Sequence, residues 1–152
     1  RMTTETMIPD LVSAGGVVYK ICGDSLQVAV CSRKQPLSHN LPKGTPQVGE
    51  TLENTACREV EEETGLRVEI LDYIGFIEYD STHGKSSGEE LKRVHYFLMR
   101  SVGGDFSLHD TEFDVVEWIE SSGISSILTY ENEVEIVQKG LSMVERRSKG
   151  TS

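Results

Sequence analysis

Glu59, Glu62 and Glu63 stand three and four residues apart in the stretch Arg58-Glu-Val-Glu-Glu-Glu-Thr-Gly-Leu66. On a helix turning ~100° per residue, these spacings put side chains on one face. Leu52, Ala56 and Val60 fall on a different arc, with Cys57 at its edge, and Glu61 points away from both. Three carboxylates therefore converge while a separate apolar stripe is left for a core. Like charges so placed repel by roughly 0.2–0.5 kcal/mol per pair, and the C-terminal half of a helix disfavours anions further. A bound cation relieves both penalties. All-oxygen donors suit Mg²⁺ or Mn²⁺, which also bind phosphate oxygens. A solvated acidic face with Arg58 as local counter-charge is the ordinary alternative for such a run. The preceding loop tips the balance, because Gly44 and Gly49 punctuate a tight turn and Glu50 stands just before the helix.

The elements that must hold these residues are readable on either side. The helix runs from Leu52 to Thr64, with Thr51 as N-cap and Gly65 where a left-handed terminator belongs. Ser13–Ile21 and Leu26–Ser32 read as strands joined by the turn Cys22-Gly23-Asp24-Ser25. Arg33 to Gly49 reads as a loop. Arg67–Tyr79, Leu91–Ser101 and Val115–Ile119 read as strands, and Asp80–Glu90, rich in Gly and Ser, as a loop. Val134, Val137, Leu141 and Val144 recur at helical spacing across Glu131–Arg146. Interleaved strands and helices imply one shared core, and 152 residues suit a single domain, residues 1–152.

Composition narrows the function classes. Fifteen basic against twenty-five acidic residues leave a net charge of −10. That argues against nucleic acid or an anionic membrane as partner, while a small polyphosphate stays open if a cation mediates. No apolar run approaches the ~18 residues of a membrane span. The opening Arg1-Met2-Thr3-Thr4-Glu5 lacks the apolar stretch of a secretory signal, and Arg1 ahead of Met2 reads as an addition to the natural start. Cys22, Cys31 and Cys57 are odd in number with no C-x-x-C spacing, which reads as reduced, mostly buried thiols of a cytoplasmic protein.

The pattern Gly44, Glu50, Arg58, Glu59, Val60, Glu62, Glu63, Gly65 and Leu66 resembles the Nudix box, here residues 44–66, at every defined position. With the leading strands and Trp118, the resemblance to Nudix hydrolases extends over about residues 10–145. It implies an α/β (α+β) fold, an α/β/α sandwich around a mixed β-sheet. It also implies hydrolysis of a nucleoside diphosphate linked to another moiety, with Mg²⁺ or Mn²⁺ as cofactor. Carried over residue by residue, it makes Glu59 and Glu63 metal ligands and Glu62 a further ligand or the base that activates water. A backbone carbonyl of Lys43 or Gly44 completes the set. Arg58 and Glu50 orient the carboxylates by charge-assisted hydrogen bonds. Some members take their base from a late loop; His109-Asp110-Thr111-Glu112 is the matching segment, with Glu112 the candidate.

Leu41-Pro42-Lys43-Gly44 resembles the lead-in of diadenosine polyphosphate and diphosphoinositol polyphosphate hydrolases. Arg93-Val-His-Tyr-Phe-Leu-Met99 resembles a stretch of the bacterial diadenosine enzymes. The implied substrate is a diadenosine polyphosphate, with Arg33, Lys43, Lys92 and Arg93 as phosphate contacts and Tyr79, His95 and Tyr96 as strand-face or base contacts. Strand alternation forbids Tyr96 and Phe97 from both facing a ligand. The tyrosine that one diadenosine subgroup carries downstream of the box is replaced by His83. Nucleoside triphosphate, ADP-ribose and RNA 5′-end hydrolysis are the competing activities. A non-catalytic nucleotide sensor is a further alternative, which the full set of box glutamates argues against. The partner is a small-molecule nucleotide, and a homodimer is compatible with this reading.

Overall fold

The computed structural model describes residues 11–80 and 91–150, the side chains of 148–150 excepted. Strand β1 (Leu11–Cys22) turns at Gly23 into β2 (Ser25–Lys34). Then follow β3 (Leu37–Asn40), β4 (Lys43–Gly44), helix α1 (Leu52–Thr64), β5 (Leu66–Asp80), β6 (Leu91–Gly104) and β7 (Val115–Glu120). A single helical turn, α2 (Ile124–Ile127), leads into α3 (Glu131–Gly150). The strands form one sheet in the order β3-β2-β1-β6-β5, with β4 added to β1 and β7 to β2. Every described ladder is antiparallel except β1 with β6, so the sheet is mixed, as expected.

The loop expected from Arg33 to Gly49 contains two short strands. β1 and β2 pair only from Tyr19–Val28 to their shared turn. Beyond that point they diverge like the prongs of a fork. The unpaired edge of β2 is taken by β3, from Cys31–Asn40 to Lys34–Leu37, and that of β1 by β4 at Ala14–Gly44 and Gly15–Lys43. Open strand edges carry unsatisfied N–H and C=O groups, and the returning chain satisfies them.

Alternation along β1 and β6 divides the core between two faces. Ala14, Val18, Phe97 and Met99 pack with Ala56 and Val60 of α1 on one side. Val17, Val94, Tyr96 and Leu98 pack with Val134, Val137 and Val144 of α3 on the other. Tyr96 and Phe97 thus face opposite ways. Helix α1 lies close to the sheet: a Cβ on Gly16 would meet Met99 Sδ at 2.5 Å and Val60 Cγ2 at 3.2 Å.

The ends of α1 match their signals. The Thr51 hydroxyl accepts the Asn54 N–H at 3.1 Å. Gly65, at φ 81°, donates its N–H to Glu61 O and lies against Asp105 O, where a Cβ would come to 2.3 Å. The strands overrun their expected ends, and α3 extends to Gly150. Asp80 closes β5; the rest of the loop expected over Asp80–Glu90, His83 included, lies outside the described residues. Cys31 is buried and Cys57 half-buried, but Cys22, in the turn of the fork, is exposed. No helix among the described residues is long and apolar enough to cross a membrane.

Candidate active site

Helix α1 presents its acids to the segment Leu41–Gly44 in a graded series of environments. Glu63 is 7% exposed, and its Oε1 accepts the Lys43 N–H at 3.1 Å. Burial pushes its carboxyl up to about 8, with Glu59 and Asp110 adding to the rise and the Lys43 N–H and charge opposing it. The Glu59 carboxylate lies on the backbone of Gly44, where a Cβ would come within 1.9 Å of Glu59 Cδ. Burial raises this group too, against the pull of Arg58. The Glu62 side chain is about half exposed.

Arg58 organises the rest. Its Nε and Nη2 donate to the two Glu50 oxygens at 2.7 and 3.0 Å, and Nη2 also donates to Thr45 O at 3.0 Å. Nη1 reaches Glu59 Oε2 at 3.0 Å and Glu62 Oε1 at 3.3 Å. Glu50 accepts further bonds from the Gln47 N–H and the Thr55 hydroxyl. The Arg58 hydrogen bond, chiefly, holds the Glu50 carboxyl down to about 2. The guanidinium thus joins the loop before the helix to two of its acids.

Among the described residues, no three acidic, histidine or cysteine side chains already close on a single point. In this arrangement Arg58 supplies the positive charge beside Glu59 and Glu62. The donor set nonetheless fits a hard divalent ion. It is all oxygen, and Glu63 is a buried carboxylate that neutral water alone does not keep ionised.

The other sequence-derived candidates separate. Arg33 forms an ion pair with Glu112 and lies over the Phe113 ring, so these two candidates are partners of each other. Arg93 pairs with Glu78 at 2.6 Å and lies over Phe76, 4.4 Å from its centroid. His95 shares a 2.9 Å hydrogen bond with the Tyr73 hydroxyl, and burial holds its imidazole below the usual range. Arg93 and His95 alternate with Phe97 and so belong to the α1 face. Lys43, Lys92 and Tyr79 belong to the α3 face; the cations expected in one cleft are divided by the sheet.

Two acids were missed. Asp110, rather than its neighbour Glu112, is the late-loop acid whose charge raises Glu59 and Glu63. Its N–H donates to Glu62 O at 2.8 Å, and its Oδ1 accepts the Glu112 N–H. Glu133, in the first turn of α3, is 3% exposed and accepts the Leu41 N–H at 2.9 Å. The segment Leu41–Gly44 is thereby gripped by buried carboxylates at both ends, with Pro42 O accepting the Gly16 N–H between them. Glu131, Glu133 and Glu135 alternate through the start of α3, so nothing in the sequence singled out Glu133 as the buried one.

Comparison with known proteins agrees with this geometry. The NUDIX domain family matches residues 12–137. MutT4 of Mycobacterium tuberculosis is 38% identical over 141 residues, 88% of this chain and 56% of that protein. The 8-oxo-(d)GTP phosphatase of Mycolicibacterium smegmatis is 30% identical over 146 residues, 90% of this chain and 43% of that protein. The chain therefore spans about half the length of these curated relatives. Among solved structures, the Ap4A hydrolase of C. elegans in a binary complex superposes with a TM-score of 0.71 at 19% identity, covering 89% of this chain and 98% of that one.

Proposed function

The chain belongs to the Nudix family, and from that premise we propose that it hydrolyses a phosphoanhydride bond in a nucleoside diphosphate linked to a further moiety, most suitably a diadenosine polyphosphate. The observation that carries the reaction is the buried Glu63 gripping the Lys43 N–H, beside a Glu59 seated on Gly44 and under the Arg58 bracket. Glu59, Glu63 and Glu62, with a carbonyl of Lys43 or Gly44, would hold Mg²⁺ or Mn²⁺. Such an ion neutralises phosphoryl oxygens and makes water more acidic.

The chain's own groups supply the rest. Arg58 fixes the rotamers of Glu59 and Glu62 through charge-assisted bonds, and Glu50 anchors Arg58. Glu62, half exposed, can take a proton from an attacking water; Glu112 is the alternative base, at present engaged by Arg33. Lys43 projects from the segment that Glu63 and Glu133 hold, with no ion-pair partner among the described residues. An unpaired cation next to the acid cluster favours a substrate with several phosphates. A second reading, an oxidised nucleoside triphosphate, is favoured by the mycobacterial 8-oxo-(d)GTP phosphatase relative. Nothing in the fold or the relatives supports a homodimer.

A panel in ¹⁸O-labelled water tests this. Diadenosine polyphosphates, 8-oxo-dGTP and other nucleoside triphosphates, ADP-ribose and triphosphate-ended RNA are incubated with the protein and Mg²⁺, and products are read by mass spectrometry. Turnover should vanish in EDTA and return with Mg²⁺ or Mn²⁺. Full activity in excess chelator would refute the metal-dependent reading. Preference for 8-oxo-dGTP would replace the diadenosine assignment.

A further inference from the structure

Leu41–Gly44 runs along the gap that β1 and β2 leave as they diverge, so helices on both faces of the sheet reach it, α1 through Glu63 and α3 through Glu133. The segment also lies hard against β1. Pro42 O accepts the Gly16 N–H at 3.2 Å, and it would stand 2.2 Å from a Cβ on Gly15. Pro42 has a fixed φ and no N–H of its own. A displacement at Leu41 is therefore passed on to Lys43 and Gly44 rather than absorbed between them.

The Leu41 end is held entirely from the start of α3. Thr129, just ahead of the helix, donates its N–H to His39 O at 3.0 Å, and its hydroxyl accepts the His39 N–H at 2.8 Å. Glu133 Oε1 accepts the Leu41 N–H at 2.9 Å, and the Asn40 side chain bonds the same carboxylate. Leu41 and Glu133 are both buried, so water does not stand in for this bond. Burial raises the Glu133 carboxyl, against the pull of the Leu41 N–H, the charge of Lys43 and the Asn40 side chain. Burying a carboxylate is unfavourable, and α3 does not need this one for its dipole, because exposed Glu131 already supplies an acid to the first turn. What the buried acid does secure is the backbone of the segment that Glu63 holds two residues further on.

We propose that Glu133 is a positioning residue for the reaction: through the Leu41 N–H it fixes the path of Leu41–Gly44, and with it the placing of the Lys43 and Gly44 carbonyls beside the cation-binding acids. The inference rests on the reading of Glu59, Glu62 and Glu63 as that cation site. It gives two buried carboxylates different duties on one segment. Glu63 meets the segment within the acid cluster, and Glu133 sets it from the opposite face of the sheet. A backbone oxygen that ligates a metal has to be held to within about 0.5 Å, which a segment tethered at one end only does not achieve.

The probe is Mn²⁺ alone, titrated into nucleotide-free protein with the free ion read by electron paramagnetic resonance. Wild type should bind it. Glu133→Met keeps much of the side-chain volume but leaves the Leu41 N–H unpaired, and should weaken binding about ten-fold, the lower end of the cost of losing an outer partner of a metal site. Glu133→Gln keeps an oxygen for that N–H and should stay within about twofold of wild type. Val144→Ala truncates the core about three turns further along α3; it should lower Tm yet leave Mn²⁺ binding within about twofold. The Mg²⁺ concentration that half-activates hydrolysis should rise in Glu133→Met and in neither other variant. Should Glu133→Met fail to fold, hydrogen exchange on wild type decides, because saturating Mg²⁺ should then slow exchange of the Leu41 amide together with that of Lys43. Wild-type Mn²⁺ affinity in folded Glu133→Met, an equal loss in Glu133→Gln or Val144→Ala, or a Leu41 amide indifferent to Mg²⁺ while Lys43 is protected would overturn the role of Glu133 alone. No Mn²⁺ binding by wild type would sink the reading of the acid cluster on which it rests.

Discussion

Glu63→Gln is expected to stabilise the cation-free protein while abolishing turnover. Burial pushes the Glu63 carboxyl up to about 8 from 4.5. Between those values the native state keeps a proton that the unfolded chain has released, so stability falls as pH rises through that window. At pH 7 about two and a half units of the window have been crossed, and at ~1.36 kcal/mol per unit keeping the Glu63 proton in the native state costs about 3 kcal/mol. Glutamine keeps an oxygen for the Lys43 N–H, but it buries an amide NH₂ that needs a partner, at a cost of ~1–2 kcal/mol. The net gain is about 1–2 kcal/mol, or roughly 2–8 °C in Tm for a chain of this size. It should vanish near pH 5, where the unfolded chain also begins to hold the proton and the two states no longer differ. Saturating Mg²⁺ should reverse the order, since an ion that binds only native wild type stabilises it by mass action. Calorimetry in EDTA across pH 5–8, repeated with Mg²⁺, reads all of this. A variant Tm equal to or below wild type at pH 8 without cation would refute the reasoning, as would a gain that ignores pH. Turnover with Mg²⁺ should fall by ~10²-fold or more.

Gly44→Ala should displace the Glu59 carboxylate, whose Cδ lies 1.9 Å from the new Cβ; kcat should drop ~10²-fold, and urea melts should show a loss of at most ~1 kcal/mol, because the clashing group is a side-chain end. Glu61→Ala removes the acceptor of the Val68 N–H at 3.0 Å and should cost ~1 kcal/mol of stability with kcat/KM unchanged. Asp110→Asn should lower kcat more than Glu112→Gln does, because Asp110 is the acid whose charge acts on Glu59 and Glu63; the opposite order in steady-state assays would return Glu112 to the role of base.

Helix α1 was legible to the residue because its signals are local: a hydroxyl cap, an apolar stripe and a glycine stop within one short segment. β3 and β4 were not, because a four-residue and a two-residue strand have no periodicity of their own and exist only to meet the edges of β1 and β2. The acid cluster follows from spacing on a single helix. The separation of Lys43 and Lys92 from Arg93 and His95 depends on which face each strand residue takes and which partner it meets, and side-chain type does not carry that. Glu133 escaped notice for a related reason: its partner, the Leu41 N–H, lies 92 residues away. Glu61 does point away from the acid cluster, as the wheel indicates, but it accepts the Val68 N–H and so tethers the start of β5.

The fork of β1 and β2 has a kinetic meaning. Its turn, like the β5–β6 pairing, joins residues close in sequence, and such contacts form early because little loop entropy is lost. The parallel ladder between β1 and β6 is different, since it brings Leu11 to Lys92 only after the intervening chain is in place. Until that ladder closes, Lys43 and the box helix belong to one half of the chain and Tyr96 and Lys92 to the other. A chain emerging from a ribosome would therefore assemble the acid helix well before the sheet that backs it was complete.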